Sequence, residues 1–399
     1  MPGLGLGTSL TSSGLKVASH VTSNLKMLHR YNTGSVVPLS DGAAYFDAAN
    51  NNYVAIGNQS NLSFGTGSFS VACWVLTTQT GTTSFILGKG SSTSTASSVG
   101  YALYFGNSGT DWVFSVGDGT DYALAQTNSL PTRNTNQWYH VCGTWDGSTK
   151  TAKIYQDGVL IDTDTDTDVG DIDNSDAFDI GRLDASTSND WTGYVCNAGV
   201  WSGVLTQAQI KSIMWKNYAG LTDSEKTNLV SWWNLDSLTE FDSVGTDDGL
   251  VLDNHDTTVG SELLTGFTNG SSYPFDTFTS SGRDISAAIE TSGDWGGCVS
   301  NVINATAGEW YKCTFDLTYN SGSDHVRIAL VNGPSGGATH RSNDAFTSTN
   351  GANTVYLKVA TTDSSSYLQI GTGESADVIN FSMSNISLKK MNGNHGEMK

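Results

Sequence analysis

Aromatic side chains set among Gly, Ser and Asp are the residues of this chain best suited to chemistry, because an exposed ring stacks on the apolar face of a sugar while neighbouring Asn, Asp and Gln bond its hydroxyls. Trp112, Tyr122 and Trp191 in the first half, and Trp295, Tyr319 and Tyr367 in the second, are the candidate carbohydrate platforms. Each competes with an interior role, since aromatics also fill sandwich cores. Adjacent strand residues point to opposite faces, so one of Trp310 and Tyr311, and one of Trp232 and Trp233, is expected to face outward, onto sugar or a neighbouring chain. The run Asp162-Thr-Asp-Thr-Asp-Thr-Asp168 puts hard oxygens at alternate positions but lacks the Gly and Glu of a calcium loop. Alternation with Thr instead lines four carboxylates on one face of a strand, where they would keep a sheet edge from pairing with another. No Ser, His and acid grouping supports nucleophilic catalysis, and Gly333, Gly336 and Gly337 precede no helix that would cradle phosphate.

Charge narrows the partners. Nineteen Lys and Arg against 39 Asp and Glu give a net charge of −20, the wrong sign for nucleic acid or anionic lipid. No run of 18 apolar residues would span a membrane, and the start lacks the basic and apolar regions of a secretory signal. Cys73, Cys142, Cys196, Cys298 and Cys313 are odd in number and lack metal-ligand spacing, so buried free thiols and synthesis in a reducing cytoplasm are expected. Residues 1–40 carry Lys16, Lys26 and Arg30 and no acid, and are rich in Gly, Ser and Thr. They read as an extended basic arm that docks on something acidic, or as a solvated terminus.

Elements that could position these residues are almost all strands. From Asp41 onward, short runs rich in Val, Ile, Tyr, Phe and Trp alternate with turn residues, and Asp146-Gly147 and Asp157-Gly158 mark hairpins. One helix follows Leu205, where Thr206 and Gln209 form a capping box and Ile210, Ile213, Met214 and Ala208 share a face. A second box, Thr222 and Glu225, starts a single turn. A second set of seven strands occupies about 257–392, and 393–399 reads as a frayed tail. The expected fold is all-β: an arm over 1–40, an antiparallel β-sandwich over 41–255 carrying one short helix, and a second β-sandwich over 256–392.

Phe69-Ser-Val-Ala-Cys-Trp-Val75, Trp138-Tyr-His-Val-Cys-Gly-Thr-Trp145, Lys153-Ile-Tyr-Gln-Asp-Gly158, Gly193 to Trp201 and Leu205-Thr-Gln-Ala-Gln-Ile210 together resemble, in order and spacing, the laminin-G-like branch of the concanavalin A-like lectin and glucanase superfamily. The resemblance covers about 41–250 and implies the sandwich fold; its members include lectins, enzymes and adhesion modules. Its glucanases use a Glu-x-Asp-x-x-Glu strand, and here all seven Glu lie at or after Glu225, so the chain is expected not to be an enzyme. The family's rim calcium would fall to Asp47 and Asn197, with Cys196 standing where the family has an acid; the cofactor is therefore none, or calcium held by these two. Glu262-Leu-Leu-Thr265, Ala307 to Phe315 and Val378 to Leu388 resemble a carbohydrate-binding-module jelly roll.

An arm ahead of two such modules is similar to bacteriophage virion proteins: tail fibres, head fibres and capsid decorations. That resemblance implies a homo-oligomer on the virion surface, made in the host cytoplasm. Its arm would dock on capsid or tail proteins through Lys16, Lys26 and Arg30, and its sandwiches would touch host-surface glycans. A decoration protein that cements the particle without binding sugar, and a secreted bacterial glycan-binding protein, are the alternatives.

Overall fold

The computed structural model describes residues 42–398 apart from 79–82, 91–97, 107–110, 128–133, 184–188, 237–249, 291–295, 323–324, 335–339, 341, 343 and 373–377. Lys16, Lys26, Arg30 and Trp295 thus lie outside the described residues. The regular structure of the described chain is nearly all β, and the chain divides at Leu238/Thr239 into two units.

In the first unit the β-branched and aromatic runs become β1 (Ala44–Phe46), β2 (Val54–Gly57), β3 (Phe69–Thr77), β4 (Ser84–Gly90), β5 (Val99–Gly106), β6 (Asp111–Asp118), β7 (Tyr122–Gln126), β8 (Trp138–Asp146), β9 (Thr151–Gln156), β10 (Val159–Thr165), β11 (Phe178–Ile180), β12 (Gly193–Trp201) and β13 (Leu229–Trp233). They build two antiparallel sheets, one ordered β1-β12-β3-β8-β9-β10 with β13 also against β12, the other β2-β11-β4-β5-β6-β7. Phe46, Phe69, Tyr101, Trp112, Phe114 and Trp145 are sealed inside. Each such side chain contributes about 2–3 kcal/mol of burial.

A third layer lies outside the first sheet. The helix α1 (Gln207–Ile213) has the expected capping box, Gln209 N–H donating to Thr206 Oγ1 and Gln209 Oε1 accepting from Thr206 N–H. Ile210 and Ile213 pack on Ala72, Cys142, Tyr155, Trp201 and Trp232, while Ala208 faces solvent. This layer corrects the expectation for Trp232: it and Trp233 do point to opposite faces, but α1 roofs the outer one, and Trp233 stacks on Phe178 inside, so both are buried.

Turn chemistry follows the sequence in one hairpin and departs in the other. Asp157 and Gly158 both take positive φ, 51° and 75°, joining β9 to β10. Between β8 and β9 the left-handed residue is Lys150, and Asp146 Oδ1 accepts from Ser148 and Thr149 N–H. Gly147 is needed for space: a Cβ there would strike the Thr66 carbonyl.

The Asp run does more than repel. Asp162 Oδ2 accepts from Gln126 N–H at 3.0 Å and Asp164 Oδ2 from Leu124 N–H at 2.7 Å, so carboxylates on the edge strand of one sheet satisfy backbone donors on the edge strand of the other.

The second unit carries β14 (Leu250–Val251), β15 (Phe267–Asn269), β16 (Thr277–Ser281), β17 (Asp284–Ile289), β18 (Gly297–Ser300), β19 (Ile303–Ala305), β20 (Trp310–Gly322), β21 (Val326–Val331), β22 (Ala345–Thr347), β23 (Gly351–Lys358), β24 (Asp363–Thr372), β25 (Ile379–Lys390) and β26 (Gly396–Met398). Its sheets run β15-β18-β24-β21-β22, with β19 beside β24, and β16-β17-β25-β20-β23. Ile289, Phe315, Ile328, Leu357, Ile370 and Phe381 lie in the shared core. Tyr311 joins that core, whereas Trp310, on the other face of β20, is buried by Leu250 and Met391. The tail is not frayed: β26 pairs with β14, Asn394 N–H donates to Asp253 Oδ2, and Asp253 N–H donates to His395 Nδ1.

Candidate functional site

Two of the platforms expected from sequence are interior. Trp112 and Trp191 are 0% exposed with ring centroids 6.5 Å apart, and Trp112 Nε1–H donates to Gln156 Oε1 at 2.9 Å; the alternation of β6 turns Trp112 inward, so neither can meet a sugar. Tyr122 on β7, Tyr319 on β20 and Tyr367 on β24 are half-buried, Tyr319 against the second core.

Asp47 and Asn197 do not meet. Phe46 pairs with Gly193, so Asp47 stands level with Thr192, five residues along β12 from Asn197 and roughly 17 Å away at about 3.3 Å per residue. Asp47 caps the turn after β1, its Oδ1 accepting from Ala49 N–H and its Oδ2 from Asn50 Nδ2–H. Asn197 is buried, takes φ 50° and donates its N–H to Asn234 O. Among the described residues no three His, Cys, Asp or Glu converge as a metal group. Three oxygens of the kind a hard cation seeks do converge elsewhere: Asn58 Oδ1 at 2.8 Å and the Asn174 and Asp176 carbonyls at 3.1 and 2.6 Å. The cation between them is the buried ammonium of Lys89 on β4.

His140 and the cysteines are buried. His140 on β8 lies edge-on to Trp74, and burial lowers its pKa to about 3, so it stays neutral near neutrality. Burial raises the thiols of Cys73, Cys142, Cys298 and Cys313, which suppresses thiolate formation.

What the fold does expose is a row of rings on the outer face of the first sheet. Register places Tyr45 opposite Tyr194, Tyr194 opposite Leu76, and Leu76 opposite Trp138, one residue from each of four adjacent strands. Leu76 is the buried floor. Above it Tyr45 and Tyr194 are 44% and 37% exposed with ring centroids 4.9 Å apart, and the half-buried Trp138 ring lies 6.2 Å from that of Tyr194. The next row on this face holds Cys196, Trp74 and His140. Trp74 packs with Cys196 and Met214, donates Nε1–H to the Met214 carbonyl, and meets the ring of Trp215, which is 40% exposed. The end of the α1 layer therefore covers the second row and leaves the first open. Asp47 and Asn50 stand at one end of the open row; Asn136 and Gln137 precede Trp138 at the other, with Asn136 N–H donating to Thr77 O.

A row of three rings over an apolar floor, with Trp215 beside the row behind and amides at the margin, can stack on apolar faces and bond hydroxyls. Strand alternation in Ala44-Tyr45-Phe46 and Tyr194-Val195 could have revealed the outward rings; their lack of cover could not be read locally.

Residues 48–211 match the sequence profile described as the concanavalin A-like lectin/glucanases superfamily, so this stretch of the first unit is similar to that superfamily. No curated protein matches the chain. Among solved structures, a Bacteroides ovatus protein assigned as carbohydrate binding is 21% identical over 53% of this chain and 55% of its own, with a TM-score of 0.40; the chain thus spans about half the length of that relative. The CBM40 of the Ruminococcus gnavus IT-sialidase is 15% identical over 44% of this chain and 97% of its own, TM-score 0.35. The SAP-like pentraxin of Limulus polyphemus is 16% identical over 42% and 83%, TM-score 0.30.

Proposed function

We propose that the chain is a non-catalytic, lectin-like surface protein of a virion that holds glycans weakly on the aromatic row and gains strength from repetition. The carrying observation is the row itself: Tyr45, Tyr194 and Trp138, aligned by strand register and open to solvent, with Trp215 beside the row behind. Neutral, buried His140 and the absence of Glu before Glu225 support binding without catalysis. Lys89, as a resident cation, supports a fold that needs no calcium. The basic, acid-free arm supports docking to capsid or tail proteins through Lys16, Lys26 and Arg30, on a particle assembled in the host cytoplasm. Incorporation into particles should fall when residues 1–40 are deleted; unchanged incorporation would remove the docking half of the reading.

Glycan-array binding by the purified chain, with and without chelator, tests the display half, and light scattering gives the expected homo-oligomer. Specific binding that survives chelation is expected. A second reading rests on the rings lying on a sheet face: the row could pack against another subunit, making the chain a structural decoration. Array silence from a folded oligomer would favour that reading.

A further inference from the structure

We infer that the row takes an extended oligosaccharide of uncharged sugars, laid across the strands, in preference to sialylated, uronic or sulfated glycans; this rests on the glycan-binding reading above. Shape is the first argument. Tyr45, Tyr194 and Trp138 come from β1, β12 and β8, with β3 supplying Leu76 between the last two, so the apolar stripe runs across four strands and spans about 14 Å at about 4.8 Å per strand. A single pyranose would cover one ring and leave the others in water. Successive rings 4.9 and 6.2 Å apart instead offer successive sugars a stacking surface.

Charge is the second argument. The row's own residues carry none, and the row behind it offers Cys196, Trp74 and a buried His140. Of the cations on the α1 layer, Lys216 is bound to both carboxylate oxygens of Glu225 at 2.6 and 2.7 Å, and the Lys211 stem lies over Gly158. At the β1 end the carboxylate of Asp47 stands two residues from Tyr45 and hence on the same face. An acidic sugar would meet this like charge on a protein of net charge −20. The margin of Asn50, Asn136 and Gln137 offers neutral donors and acceptors suited to hydroxyls and acetamides.

Calorimetric titration of the full chain with a ladder of neutral homo-oligosaccharides, from one sugar to about six, and with acidic glycans of matched length tests this. Affinity should rise at least about tenfold from the monosaccharide to the trisaccharide and then level, with acidic glycans at least about tenfold weaker at low salt and the gap narrowing as salt rises. Tyr194→Ala and Trp138→Ala should each reduce binding of the trisaccharide by about tenfold or more. Tyr45→Ser, at the exposed edge, supplies the same test should the other two fail to fold. Equal or tighter binding of acidic glycans, or a monosaccharide binding as tightly as the trisaccharide, would overturn the inference while leaving glycan binding intact. Silence toward every sugar from the folded chain would overturn both, and so would binding that all folded ring variants retain.

Discussion

His140 and Lys89 show how single residues set conditions for the whole first unit. His140 is neutral when folded, with a pKa lowered to about 3 by burial, against about 6.5 when unfolded. The unfolded state binds the extra proton between those values, so stability from this group is intact above about 6.5 and falls as pH drops toward 3. Denaturant titrations should therefore show the chain about 2 kcal/mol less stable at pH 5 than at pH 7.5, and His140→Gln should flatten that slope. An unchanged slope would mean that the folded imidazole protonates. Lys89→Met removes the donor to Asn58 Oδ1 and to the Asn174 and Asp176 carbonyls. A loss of about 3 kcal/mol is expected by urea unfolding, because three oxygens would lose the ammonium they share. A loss under about 1 kcal/mol would show that water replaces it.

At the scale of elements, the clamp between β7 and β10 explains how two open sheet edges coexist in one sandwich. Asp162→Ala with Asp164→Ala should cost about 3 kcal/mol and speed hydrogen exchange at the Leu124 and Gln126 amides; unaltered exchange would mean that the carboxylates only repel. Much of this architecture was legible because it rests on local rules. Period-two runs gave the strands, Thr206 with Gln209 the helix start, and Asp157-Gly158 a hairpin with both residues at positive φ. The face of the site was not, since exposure depends on what distant chain covers. Trp112 and Tyr45 both sit in short alternating strands, yet one is sealed between sheets and the other stands outside. Trp232 points outward as alternation requires and is still buried, because α1 lies over it. Asp47 and Asn197 were paired by resemblance, and only the register of β1 on β12 separates them.

For the whole molecule, the proposed display role joins an acidic chain, an aromatic row open among the described residues and a basic N-terminal stretch of sequence. Under the proposed display role, a row of three rings would give modest affinity to one chain, and many copies on a particle would raise it through effective concentration. The claim that the row is where a glycan rests can be read directly by oxidative footprinting of tryptophan. Trp138 and Trp215 reach solvent, whereas Trp112, Trp145, Trp191 and Trp233 are sealed and serve as internal controls. In the free chain, mass spectrometry should find Trp138 and Trp215 oxidised and the four controls unmodified. With a bound neutral oligosaccharide, oxidation of Trp138 should fall severalfold while the controls stay silent. A glycan that binds and leaves Trp138 as reactive as before would place the site elsewhere and contradict the role assigned to the row.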